Sequence, residues 1–131
     1  MIPGSSPASE AAHERFPSAE RLRKRPQFLH ARRRGRRGEG SWVVVYVVDN
    51  DLGCNRLGVT ASKKVGNAVT RNWYKRRLRE IFRRHKARFG SSQDVVIIVK
   101  AREEKPRFDT LRDDVFRALD RAFNGGRRKR S

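Results

Sequence analysis

The sequence has one cysteine, Cys54, and no apolar run that approaches the roughly 20 residues of a membrane-spanning helix. A single cysteine cannot form an internal disulfide, and no CxxC or suitably spaced histidine accompanies it, so a zinc site is not indicated. No lipidation pattern is present either. These absences exclude a disulfide-stabilised secreted domain and an integral membrane protein.

Acidic residues are also few. The chain has 14 of them against 33 lysines and arginines, which gives a formal net charge of +19. Such a domain repels itself, and a polyanionic partner would relieve the repulsion and release condensed counterions. A membrane surface and a nucleic acid are both polyanions, and the lack of a span or a lipid anchor favours nucleic acid.

The two ends differ in composition from the middle. Residues 1–19 are rich in Ser, Ala, Pro and Glu, which predicts a disordered extension, and 124–131 is predicted to be a flexible basic tail. The tail could be a solubilising end or an accessory phosphate contact. A folded domain is expected over 20–123. Because the extension lacks a basic start and an apolar core, we expect no signal peptide and a cytoplasmic protein.

The middle of the chain alternates between helical and strand-like patterns. A helix is expected from about Pro26 to Gly35, since a first turn tolerates proline and glycine often ends a helix. Strands are expected at 41–50, 56–62 and 94–102, and two further helices at 68–89 and 108–123. A short strand at 36–40 is weakly signalled, so the order is α-β-β-α-β-α or α-β-β-β-α-β-α.

The helix predicted at 68–89 sorts its charge by face. At about 100° per residue, an apolar face for the sheet comprises Tyr74, Leu78, Ile81, Phe82, His85 and Phe89. An adjoining arc, here named the basic arc, holds Arg71, Asn72, Lys75, Arg76, Arg79, Arg83 and Lys86, while Arg77, Arg84 and Arg88 lie on the opposite flank. Guanidinium groups match phosphate geometry, so we predict phosphate binding. The alternative is a solvated face, although such faces usually mix charges and this one has only Glu80. Asn72 could contact RNA or simply bond to the helix backbone.

The loop before this helix carries Lys63 and Lys64, turns at Gly66, and offers Asn67 as a helix cap. Two lysines beside a helix N-terminus would form an anion site, although ordinary surface lysines are the alternative. The spacing of a nucleotide-binding P-loop is absent.

The same stretch resembles the signature of the bacterial ribonuclease P protein component, K-x-G-x-A-V-x-R-N-x-x-K-R-x-x-R-E. The matching positions are Lys64, Gly66, Ala68, Val69, Arg71, Asn72, Lys75, Arg76, Arg79 and Glu80. The segment 21–35 is also similar to the family's first helix. The resemblance extends from about Glu20 to Phe123.

The resemblance implies an α+β or α/β two-layer sandwich of order α-β-β-β-α-β-α, similar to the second domain of ribosomal protein S5, with a left-handed β-α-β crossover. It implies the protein subunit of an endoribonuclease that removes the 5′ leader of precursor tRNA, with hydrolysis by the RNA subunit and Mg²⁺ held mainly by that RNA. The implied partners are one catalytic RNA and precursor tRNA, with no membrane and no obligate protein partner. The residues implied to face the RNA subunit are Lys63, Lys64, Arg71, Asn72, Lys75, Arg76, Arg79 and Arg83.

The resemblance also implies a cleft for the single-stranded leader. Phe28 and Tyr46 match its aromatic positions, and Trp42 shares the strand face of Tyr46 by the period of two. Arg32 stands where the family often has a second aromatic, so a guanidinium stack or no contact is expected there. Trp73 replaces a common arginine and could provide a stacking platform. Without the resemblance, plain core positions would explain the aromatics equally well.

No catalytic constellation of side chains is convincing. The histidines are His13, His30 and His85, in three dissimilar segments, and a turn explains Asp49 and Asp51 better than a metal pair does. Two other functions remain open. A ribosomal-type RNA-binding protein would not depend on a tRNA leader, and a standalone metal-dependent nuclease would need the two aspartates.

Overall fold

The computed structural model describes residues 21–22 and 24–124. The elements are α1 (Arg25–Arg34), β1 (Arg36–Glu39), β2 (Val43–Asp49), β3 (Arg56–Thr60), α2 (Ala68–Arg84), a 3₁₀ turn (Lys86–Phe89), β4 (Gln93–Val99) and α3 (Phe108–Asn124). This is the predicted α-β-β-β-α-β-α order, with the weakly signalled strand present. The extension predicted at 1–19, with His13, and the tail beyond residue 124 lie outside the described residues.

The four strands form one mixed sheet in the order β1-β2-β4-β3. β2 is antiparallel to β1 and β4, whereas β3 is parallel to β4. A parallel pair needs a crossover connection, and α2 supplies it between β3 and β4. The left hand of this crossover stays a prediction from the resemblance.

The two faces of the sheet are covered unequally. On one face α2 and α3 enclose the main core, into which β2 directs Val43, Val45 and Val47 with at most 1% of their surface exposed. On the other face α1 covers a small cluster of buried residues, Leu22, Ala31 and Val96. The sheet with α2 and α3 therefore forms the two-layer sandwich, and α1 leaves part of the second face open.

Helix α2 ends earlier than predicted. His85 leaves the helical conformation (φ −133°, ψ 43°), and its N–H is shared between the Ile81 and Phe82 carbonyls. The following 3₁₀ turn brings Phe89 back into the main core, edge-on to Phe82 with ring centroids 5.0 Å apart. The apolar face was thus predicted correctly as far as Phe82, and the helix over 68–89 was predicted too long, because the packing of Phe89 requires a tighter turn.

Candidate nucleic-acid interface

The loop before α2 places two lysines beside a capped helix N-terminus. Lys63 and Lys64 are exposed in a turn that the Gly66 N–H closes by donating to the Lys63 carbonyl at 3.3 Å. The Asn67 side chain accepts from the Thr70 N–H at 2.9 Å, which confirms the predicted cap. Two ammonium groups at the positive end of a helix favour an anion.

Helix α2 buries one face and presents its cations on the rest of its circumference. The buried side chains are Tyr74, Leu78, Ile81 and Phe82. Every member of the basic arc is at least partly exposed. The sorting of charge by face is therefore confirmed, and the contact of this arc with RNA stays a prediction.

A cleft of about 270 Å³ opens along the basic arc and reaches Arg77 of the opposite flank; its other lining residues are Arg21, Arg76, Arg79, Glu80 and Arg83. Burial, and secondarily the charge of Arg21, lower the pKa of the Arg79 guanidinium. Its charge is therefore held where solvation is poor, and a bound anion would offset that cost. Further along the arc, Arg71 Nε is buried with no hydrogen-bond partner among the described residues. The poorly solvated charge of Arg79 favours phosphate oxygens as ligands, whereas the buried Arg71 Nε is out of reach of a ligand from solvent.

A second cleft, of about 390 Å³, lies between α1 and the sheet and is here named the α1 cleft. It is lined by Arg25, Phe28, Leu29, Arg32, Thr60, Val96 and Ile98. The Phe28 ring rests on the backbone of β3 at Gly58, where an added Cβ would come within 2.6 Å of Phe28 Cζ. Gly58 thus lets the ring lie close to the strand, which leaves the space above it open.

Tyr46 of β2 lies beside the α1 cleft but is not part of its lining, and arginines hold it on two sides. Arg37 of β1, its cross-strand partner, donates from Nε to the Tyr46 hydroxyl at 3.3 Å, and this bond is the main cause of a raised Arg37 pKa. The Arg32 guanidinium lies over the Tyr46 ring, 5.8 Å from its centroid. This stack lies within the chain, and the contact of Arg32 with a leader stays a prediction.

Trp42 lies elsewhere, and its predicted common face with Tyr46 is wrong. It precedes β2, and its backbone N–H donates to the buried Asp114 carboxylate of α3 at 2.8 Å. Its half-buried ring packs against the main core, on the opposite face of the sheet from Phe28 and Tyr46. Side chains alternate between faces only within a strand. Trp42 lies just outside β2, where its backbone is anchored to α3, so the alternation does not extend to it. The structure therefore separates Trp42 from the α1 cleft.

Sequence reasoning missed several residues of the α1 cleft. Arg25 and Leu29 follow the helical spacing of Phe28 and Arg32, so that spacing could have identified them. Arg37 sits in the weakly signalled strand, and only its register with Tyr46 reveals its position. Three further residues, Thr60, Val96 and Ile98, come from strands that the chain separates widely from α1.

The acidic candidates and His85 have structural roles. Asp49 accepts from the Gln93 amide at 2.6 Å, and Asp51 adopts the left-handed conformation (φ 59°) in the turn after β2. The His85 ring stands edge-on to Phe116, whereas His30 is exposed on α1. Among residues 21–22 and 24–124, no three His, Cys, Asp or Glu side chains form a group that could hold a metal ion. The same residues contain no helix long and apolar enough to cross a membrane.

The fold and these surfaces define a small basic α/β protein with two candidate polyanion sites. The family model described as Ribonuclease P matches residues 16–123, and the chain belongs to the ribonuclease P protein family. It is 44% identical over 90 residues to the ribonuclease P protein component of Syntrophus aciditrophicus, covering 69% of this chain and 76% of the relative. The corresponding protein of Chlamydia abortus is 37% identical over 110 residues, covering 83% and 78%.

Solved structures agree with this assignment. The RNase P protein of Staphylococcus aureus superposes with a TM-score of 0.72 at 30% identity, covering 82% of this chain and all of that one. The RNase P protein of Thermotoga maritima gives 0.70 at 35% identity, covering 78% and 96%. The resemblance seen in the sequence and the predicted fold are therefore confirmed.

Proposed function

We propose that this chain is the protein subunit of ribonuclease P, which binds the catalytic RNA through the basic arc and the 5′ leader of precursor tRNA through the α1 cleft. The observation that carries the proposal is the closeness of the α1 cleft to the lysine loop that leads from β3 into the helix of the basic arc. Thr60 lines the α1 cleft, and Lys63 stands only three residues later, within about 10 Å of chain. A leader in the cleft would therefore lie next to the RNA subunit.

The basic arc would act by neutralising phosphates. The catalytic RNA and the precursor are both polyanions, and their mutual repulsion opposes assembly. Arginines such as Arg76 and Arg79 can each present two parallel N–H donors to phosphate oxygens. Each neutralised phosphate lowers the repulsion, so the protein would raise precursor affinity and lower the Mg²⁺ needed for cleavage.

The α1 cleft would grip unpaired leader nucleotides. Phe28 lines the cleft and Tyr46 lies beside it under Arg32, and their rings would stack with leader bases of any sequence. Arg25 and Arg32 in the lining would meet the leader backbone. Trp42, on the other face of the sheet, has no part in this proposal. Because α1 covers only part of this face of the sheet, an unpaired RNA strand has room to enter the cleft.

We assign the hydrolysis to the RNA subunit. The described side chains do not fit a resident Mg²⁺, because no group of three potential ligands converges, whereas RNA phosphates are the hard oxygen ligands that this ion prefers. The expected assembly is one protein with one RNA, in the cytoplasm, without an obligate protein partner.

The test is cleavage of a precursor tRNA at low Mg²⁺ by a bacterial ribonuclease P RNA, with and without this protein. The proposal expects cleavage at the mature 5′ end when both are present. Tight, salt-sensitive binding without stimulation would instead indicate a ribosomal-type RNA-binding protein. Cleavage by the repurified protein alone would indicate a standalone nuclease.

A further inference from the structure

Helix α2 carries a second set of cations on the side away from the basic arc. Trp73, Arg77 and Arg84 recur at helical spacing along about 16 Å of this side, and Arg88 follows in the 3₁₀ turn. The loop between β4 and α3 adds the exposed Arg102 and Lys105. We name these six residues the far flank.

Four of the five far-flank cations lie over aromatic rings, and the fifth, Arg84, pairs with Glu80. Arg88 lies 4.1 Å from the Phe116 centroid and Arg102 lies 4.3 Å from that of Trp42. Trp73 is approached by Lys105 at 4.8 Å and by Arg77 at 5.5 Å. A guanidinium on a ring can still donate from its in-plane N–H groups, as Arg102 does to the Ser41 carbonyl at 3.0 Å, and its side chain is already ordered. Binding phosphate therefore costs little further side-chain entropy.

Glu80 joins the two sides of the helix. Its carboxylate is 3.1 Å from the Arg84 guanidinium on the far flank and 3.9 Å from that of Arg83 on the basic arc. Glu80 neutralises part of the positive charge between the basic arc and the far flank, and cations remain on both sides of α2. Two exposed acids, Glu103 and Glu104, also stand in the loop of the far flank, and the five cations there outnumber the three acids.

We propose that the far flank is a second contact surface for the catalytic RNA, so that α2 inserts into a concave RNA crevice and is contacted on two sides. This inference rests on the proposed function, which gives the basic arc to the same RNA. The RNA subunit is the partner because the far flank lies on the same helix as the basic arc. The sheet separates the far flank from the α1 cleft, which is given to the leader. A flat RNA surface could engage only one side of the helix.

Salt dependence of binding tests the proposal with a bacterial ribonuclease P RNA and no precursor tRNA. The double variant Arg88→Gln with Arg102→Gln, both outside the cleft of the basic arc, should bind about tenfold more weakly. The slope of log K against log salt should fall by about 1–2. Arg88→Lys keeps the charge and should keep the slope. Replacing Glu103 and Glu104 with Gln removes two negative charges from the far flank. This double variant should therefore bind the RNA severalfold more tightly.

Two controls separate the inference from the function on which it rests. Arg33→Gln removes one exposed charge from α1, across the sheet, and Arg76→Gln removes one from the basic arc. If Arg76→Gln weakens binding while the far-flank variants match Arg33→Gln, the second surface is overturned and the proposed function stands. If neither Arg76→Gln nor the far-flank variants weaken binding, the proposed function itself fails.

The unmodified chain provides a test that needs no variant. Both tryptophans, Trp42 and Trp73, lie beneath far-flank cations. Saturation with the RNA should lower acrylamide quenching of their fluorescence severalfold, whereas precursor tRNA alone should leave it unchanged. Unchanged quenching with the RNA would overturn the proposal, and protection by precursor tRNA alone would assign the surface to the substrate instead.

Discussion

The two faces of the sheet differ in what they do with aromatic residues. On the α2 and α3 face, Phe82 and Phe89 are fully buried and pack on each other. On the α1 face, Phe28 and Tyr46 are only half-buried beside a small cluster. Burial stabilises in proportion to the apolar area removed from water. One face therefore supplies most of the stability, and the other keeps ring surface available for a ligand.

Truncating an aromatic on each face gives the largest expected contrast. Phe82→Ala should lower the free energy of unfolding by about 3–5 kcal/mol, because it leaves a cavity in a closed core. Phe28→Ala should cost less than half as much, since solvent already reaches its ring. Denaturant titration followed by circular dichroism measures both, and equal losses would contradict the unequal roles of the faces.

Removing arginines from the basic arc should impair assembly without affecting the fold. Arg71→Ala and Arg76→Ala should each weaken binding of the catalytic RNA by about tenfold, the loss of a charge-assisted hydrogen bond. They should also raise the Mg²⁺ concentration needed for cleavage. Filter binding and a Mg²⁺ titration measure these effects, with thermal unfolding as the control. Wild-type behaviour in both assays would remove the arc from the interface.

Variants of the α1 cleft should distinguish precursor from mature tRNA. Phe28→Ala and Tyr46→Ala should each weaken holoenzyme binding of leader-bearing precursor by about tenfold, since one stacked base is worth about 1–3 kcal/mol. Binding of mature tRNA should not change. Trp42→Phe is the matched control on the other face and should leave both affinities as they are. Equal weakening toward the two RNAs would exclude leader binding in the cleft.

The smallest effect is expected at the turn after β2. Asp49→Asn and Asp51→Asn should change stability by less than about 0.5 kcal/mol, because asparagine can accept the Gln93 hydrogen bond and tolerates the left-handed conformation of residue 51. Cleavage by the reconstituted holoenzyme should be unaffected. Abolished cleavage would restore the standalone nuclease as the explanation.

Local patterns predicted the elements well and their contacts poorly. The spacing of Tyr74, Leu78 and Ile81 identified the buried face of α2, and Asn67 was recognised as its cap. The same kind of reasoning put Trp42 on the wrong face. Alternation describes a strand, and it cannot show that Asp114, 72 residues away, anchors the backbone just before that strand.

By itself, the sequence determined the family, the order of the elements and the charge carried by α2, since motif spacing, periodicity and charge are local properties. Only the tertiary structure decided which side chains share a cleft. Arg37 reaches Tyr46 because β1 pairs with β2, and Phe28 reaches Gly58 of β3 because α1 packs on the neighbouring strands β2 and β4. The positions of the cations over Trp42 and Trp73 likewise depend on how one loop packs. Contacts between distant segments depend on packing, which no local pattern encodes.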